Sequence, residues 1–320
     1  MFGHREEAVR LPDPSLPIPL GKVGIEVEVE GCTKLPILDL WESKEDHSLR
    51  NGGREFVTAG PMYGLNIRKA LSGLFDSAVK LKWSEGYPRA GIHVHLDVRD
   101  LDFESNELSR LVSNYMLIEH AMFAYCGEWR RQTMYCDALE DSQADFKSLG
   151  RFLYSPPDSR DELIQLADGL SKYQALNFRP LISFGTIEFR ALPTTFDFDR
   201  VFNWIRIILA LKRSAQDATM DDPLRLLSSD GPIQYAQRIL GETFPILANL
   251  IDPMKMWNAV DNASALMAFG NKFTSATGNG VAMGWEAPAF KPNPILEGML
   301  AKKSKAATTR KPRVVKPPIR

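Results

Sequence analysis

Three segments of this 320-residue chain carry ionisable residues two positions apart. G-I-E-V-E-V-E, Gly24 to Glu30, offers Glu26, Glu28 and Glu30; G-I-H-V-H-L-D, Gly91 to Asp97, offers His93 and His95; G-T-I-E-F-R, Gly185 to Arg190, offers Glu188 and Arg190. A shorter run, Arg54 to Thr58, adds Glu55. Carboxylates at i and i+2 on a strand can reach neighbouring cations, and His-x-His is a frequent metal-binding pattern. An arginine beside such carboxylates suits anionic phosphate oxygens. Each motif has an ordinary competitor: a solvated strand face, a hydrogen-bonded histidine pair, a cross-strand ion pair. Their coincidence favours chemistry, because unselected solvent faces mix in more Lys, Ser, Thr and Gln.

Period two in all four segments places Val23, Ile25, Val27 and Val29, then Ile92, Val94, Leu96 and Val98, then Ile187, Phe189 and Ala191 on one face. The other face then gathers Glu26, Glu28, Glu55, His93, His95, Glu188 and Arg190. Such a crowd of carboxylates repels itself unless a divalent cation compensates it. Few imidazoles and many glutamates point to magnesium or manganese, hence to phosphate chemistry. Helical spacing marks Leu71, Leu74, Phe75, Ala78 and Val79. It also marks Leu108, Leu111, Val112 and Tyr115 behind a cap at Ser105 or Asn106, and Val201, Phe202, Ile205, Ile208 and Leu209. Each helix is expected to bury one face, with a weaker helix over 160–170. The fold class is α+β: a mainly antiparallel sheet, helices packed on one face, the polar face left for chemistry.

Lys and Arg number 39 against 40 Asp and Glu, a net charge of −1. Residues 301–320 hold eight of the basic residues and no acid, leaving 31 basic against 40 acidic residues elsewhere, net −9. We expect a Pro-rich arm over 1–20, one catalytic domain over 21–300 and a basic tail over 301–320. The tail could touch a polyanion. No apolar run reaches the about 18 residues of a membrane span, and the first 20 residues lack a secretory apolar stretch. With three cysteines and no CxxC pair, the expected location is the cytoplasm. There is no phosphate loop of the GxxxxGK[ST] kind and no GxSxG elbow; Gly278 to Gly284 reads as a mobile loop, a candidate lid.

In order, GIEVEVE, EDHSLRNGGREFVTAGP, GIHVHLD, the R-R-Q-T-M-Y-C stretch from Arg130, YQALNFRP, GTIEFRALPTT and VFNWIRIILAL resemble the amidoligases. These are carboxylate-amine ligases of the glutamine synthetase and glutamate-cysteine ligase superfamily, and the resemblance spans roughly residues 20–215. It implies a glutamine synthetase-like curved sheet that binds ATP and magnesium (or manganese) and activates a carboxylate as an acyl phosphate for attack by an amine. By family position Glu26, His93 and Glu188 hold one metal, and Glu28 and Glu55 hold a second nearer the acceptor. Arg190 neutralises the transferring phosphoryl group, and His95 touches nucleotide or substrate. Arg131 matches a nucleotide-side position, and Asn177 and Thr195 match substrate-side positions. Family members commonly have Asp-Gly-Ser where this chain has Asp46-His47-Ser48. The partners expected are a carboxylate acceptor and an amine donor, drawn from amino acids, peptides or proteins; an oligomer is compatible. Two other readings stay open, a metal-dependent hydrolase built on His93 and His95 and a non-catalytic binding protein on the same fold. Residues after 215 are free to supply a lid and a substrate pocket.

Overall fold

A computed structural model describes residues 21–102, 106–141 and 170–263, together with 152, 159, 161–162 and 164–165. The arm, the basic tail, the 278–284 loop and most of the helix expected over 160–170 lie outside the described residues.

Strands β1 (Val23–Val29), β2 (Trp41–Glu45), β3 (Arg54–Thr58), β4 (Gly91–Asp97), β5 (Leu176–Asn177) and β6 (Thr186–Pro193) form one antiparallel sheet in the order β2-β3-β1-β4-β6-β5. Three of the four central strands, β1, β4 and β6, are those whose alternation separates Val and Ile from ionisable residues; in β3 Val57 shares the Glu55 face, opposite Glu26 of β1. The two edge strands escape the sequence reading for different reasons. β2, W-E-S-K-E, is charged along most of its length, and β5 is two residues long. Trp41 ties β2 inward, its Nε1 donating to the Ala70 carbonyl at 3.0 Å.

One face of the sheet is dry: Val23, Ile25, Val27, Ile92, Val94, Leu96, Ile187 and Phe189 are all buried. Helices α1 (Leu65–Lys80), α2 (Glu107–Cys126) and α4 (Phe198–Gln216) supply the apolar side of the protein; a single-turn helix, α3 (Pro180–Ser183), joins β5 to β6. α1 behaves as its spacing requires from Ile67 to Ala78, but Val79 is 44% exposed. The stripe is extended by Ile67 and Ala70 at its start rather than by Val79 at its end. Each large apolar side chain fully buried this way contributes about 1.5–3 kcal/mol.

α2 departs from the single buried face expected of it: it is buried on every side from Leu108 to Phe123. A second helical layer covers its far side, formed with α4 by α5 (Pro223–Asp230), α6 (Pro232–Leu240) and α7 (Phe244–Leu247). Two of its polar residues find partners inside that layer. Arg110 Nε donates to the Ala215 carbonyl at 2.7 Å, Asn114 Nδ2 to Ser214 Oγ at 3.0 Å, and the Tyr235 hydroxyl to Asn114 Oδ1 at 2.5 Å. Asn106 occupies the N-cap of α2 in a left-handed conformation, φ 58°, and makes no capping bond. The described residues after 215 thus thicken the helical side.

Candidate active site

The register brings the ionisable residues together. Across β1 and β4, Glu26 faces His93; across β4 and β6, His95 faces Glu188; across β6 and β5, Glu188 faces Asn177; across β1 and β3, Glu28 faces Glu55. Opposed residues in an antiparallel pair share a face, so these side chains stand in one row. Between Ile92 and Val94 the β4–β6 register shifts, two residues of β6 (Arg190 and Ala191) standing against His93 alone. A bulge of this kind bends the strand and re-aims a side chain. Here Arg190 Nη1 still reaches Glu188 Oε1.

At the Glu26 end, His93 Nδ1 lies 3.2 Å from both Glu26 Oε2 and Glu188 Oε1, and His95 Nε2 lies 2.9 Å from Glu26 Oε1. Thr186 Oγ1, 3.2 Å from His95 Nδ1, fixes that ring. Asn177 Nδ2 donates to Glu188 Oε2 at 2.6 Å, while its Oδ1 accepts from the Arg179 backbone N–H at 3.0 Å. Ligand atoms of Glu26, His95 and Glu188 all fall within 4.8 Å of one another, a donor set that can hold one cation. His95, assigned by resemblance to nucleotide or substrate, is thus part of the compact donor group.

The electrostatics follow from this packing. Burial alone would raise the Glu26 carboxyl, but hydrogen bonds and charge from His93 and His95 outweigh it and hold the group well below the usual carboxylate range. Burial would lower His95, and its contact with Glu26 and the charge of Glu188 overcome that and raise it. Glu55 is raised by burial and then by the charges of Glu26 and Glu28, with Lys44, opposite it on β2, pulling the other way.

At the Glu28 end, the Gly91 N–H donates to Glu28 Oε2 at 2.7 Å, and His93 Nε2 lies 4.0 Å from the same oxygen. The Thr194 hydroxyl donates to the Glu28 backbone carbonyl at 2.6 Å. Glu30, next along β1, does not join the group. It is buried and accepts from both the backbone N–H and Nε of Arg50, which pins the loop carrying Asp46, His47 and Ser48.

Residues 66–212 match the amidoligase family. The family is described as "putative amidoligase enzyme", and the matched span runs from α1 to α4, taking in β4, α2, β5 and β6. The amidoligase match therefore includes His93, His95, Asn177, Glu188 and Arg190, while the β1 and β3 glutamates precede it. No curated protein matches the chain.

Two residues placed at the site by resemblance are engaged elsewhere. The Arg131 guanidinium is taken by Asp141, at 2.5 and 2.6 Å, and by Glu140. The Thr195 hydroxyl accepts from the Asp197 N–H at 3.2 Å, shaping the entry to α4. The sequence reading passed over Arg130 and Thr194, their immediate neighbours. Arg130 is fully buried, with Nη1 donating to the carbonyls of Pro88 at 3.0 Å and Ala90 at 3.4 Å. No signal in the sequence separates the two arginines; the pairing of Arg131 with Glu140 and Asp141 decides which one turns inward.

Proposed function

We propose that this chain is an ATP- and magnesium-dependent ligase that joins a carboxylate to an amine through an acyl phosphate. The observation that carries the reading is the row of Glu26, Glu28, Glu55, His93, His95, Glu188 and Arg190 on one sheet face, and the amidoligase match supports it. Glu26, His95 and Glu188, with His93 beside them, would hold one divalent cation, and Glu28 with Glu55 a second. Carboxylate-rich donors of this kind suit magnesium or manganese. When bound, such ions neutralise phosphate charge and orient its oxygens.

The acceptor carboxylate attacks the terminal phosphorus of ATP and ADP leaves; the amine then attacks the acyl carbon and phosphate leaves. Arg190, whose Nε has no hydrogen-bond partner among the described residues, supplies positive charge beside Glu188 for the transferring phosphoryl group. Glu55, raised by burial and by the charges of Glu26 and Glu28, would act at the acceptor end by holding the second cation, whose charge offsets that crowding. A histidine-rich hydrolase centre is less well supported. His47 is exposed in a loop, and His120 Nε2 accepts from the Asp252 N–H at 2.9 Å on the helical side.

Calorimetric titration of a non-hydrolysable ATP analogue, with and without magnesium, tests the reading without the substrate. Magnesium-dependent binding that is lost in Glu188→Ala is expected. An analogue that binds neither with nor without magnesium sinks the ligase reading.

A further inference from the structure

Arg130 presents a problem in physical chemistry. A guanidinium with no exposure to water costs several kcal/mol unless charge or hydrogen bonds compensate it. Among the described residues no carboxylate pairs with Arg130, and its Nε has no hydrogen-bond partner. Its placement is nonetheless deliberate. α2 stops at Gly127, φ 108°, and the turn Glu128–Gln132 follows. Trp129 packs against Tyr87, ring centroids 4.4 Å apart, while Arg130 turns inward. Thr133 holds the Arg130 carbonyl with both its backbone N–H and its hydroxyl.

The guanidinium grips the turn leading into β4. Its Nη1 donates to the Ala90 carbonyl, which also accepts from the Thr194 N–H at 3.2 Å. That carbonyl belongs to the same peptide unit as the Gly91 N–H, and the Gly91 N–H donates to Glu28 Oε2. Holding the oxygen of a planar peptide fixes where its N–H points, and a cation on the oxygen strengthens the donor. Arg130 Nη2 and His93 Nε2 also lie 2.5 and 2.9 Å from the point where a Gly91 side chain would begin. Glycine at 91 is what lets the guanidinium and the imidazole share that space.

We propose that Arg130 is a positioning residue for Glu28, acting through the Ala90–Gly91 peptide, and that the Glu28–Glu55 cation subsite depends on it while the Glu26–His95–Glu188 subsite does not. The inference rests on the two-cation reading above. Manganese alone is the probe, followed by electron paramagnetic resonance on the full chain. Wild type is expected to bind two ions and Arg130→Ala to lose affinity for one of them by about 10–100-fold, the usual effect of removing a residue that orients a ligand. Arg130→Lys, which can still reach one carbonyl, restores part of that affinity, and thermal unfolding of both variants checks that they fold. In a Glu28→Gln background Arg130→Ala has no further effect on manganese, because its route is already cut. Two ions bound equally by wild type, Arg130→Ala and Arg130→Lys overturn this inference and leave the ligase reading intact. An effect of Arg130→Ala that persists undiminished in Glu28→Gln overturns the inference as well. Wild type that binds no manganese removes both.

Discussion

At the Glu26 end of the acidic row the negative charge is met by two imidazoles, whereas at the Glu28 end it is met mainly by a backbone N–H at 2.7 Å and, one peptide bond away, a buried guanidinium, with His93 no nearer than 4.0 Å. Imidazoles exchange protons near neutral pH; a peptide N–H and a guanidinium do not. A cation entering the first end therefore competes with protons, while at the second end the fixed donors stay as they are. The two ends solve the same repulsion, one with partners that can leave and one with partners that cannot.

The strongest way to break that comparison is Glu26→Gln, which removes the carboxylate both histidines address. Manganese affinity at the first end should fall by about 100-fold or more, and equal affinity in the variant would mean the histidine contacts do not mark a cation site. The second end is reached from farther away. Glu119 of α2 accepts the Leu139 and Glu140 N–H groups at 2.9 and 3.2 Å, and Glu140 with Asp141 holds Arg131 beside Arg130. Burial pushes Glu119 up to about 7, against those two N–H bonds. A carboxyl raised in the folded state favours folding below its unfolded value of about 4.5, and that contribution is lost as pH rises through about 7. Between pH 5 and pH 8, urea unfolding should show wild type losing on the order of 2 kcal/mol relative to Glu119→Gln. Parallel pH profiles for the two proteins would refute the assignment.

His95 sharpens the contrast further. Since its contacts raise it, more of it is protonated at neutral pH than of an ordinary histidine, so manganese affinity at the first end should climb as pH rises from 6 to 8, by at most about tenfold per unit. His95→Gln should flatten that climb; an unchanged slope would place the proton competition elsewhere. Asn177→Ala gives the smallest change, about tenfold in the same affinity, because Glu188 keeps Arg190 when it loses the amide. A loss as large as that of Glu26→Gln would make Asn177 more than a support for Glu188.

Much of this was legible in residue spacing. Val alternating with Glu in β1, and Ile, Val and Leu with His in β4, fix which face is polar, and antiparallel register does the rest. What escaped has physical causes. The β6 bulge breaks period two at Arg190 and Ala191, and no residue type there announces it. Arg130 and Arg131 are indistinguishable by periodicity in a turn of five residues, and only partners distant in sequence decide which one turns inward. The burial of α2 on all sides depended on Ser214, Ala215 and Tyr235, about 100 residues or more further along the chain. Val79 misled because it continues a helical stripe at a position where no neighbouring layer covers it.

The two sheet edges carry a consequence for association. β5 offers a partner strand only two residues before Pro180 interrupts it, and β2 presents Glu42, Lys44 and Glu45 along its outer rim. Short or charged edges are poor templates for an incoming strand. Copies of this chain are thereby discouraged from joining into a continuous sheet through these two edges, even though the sheet itself is open.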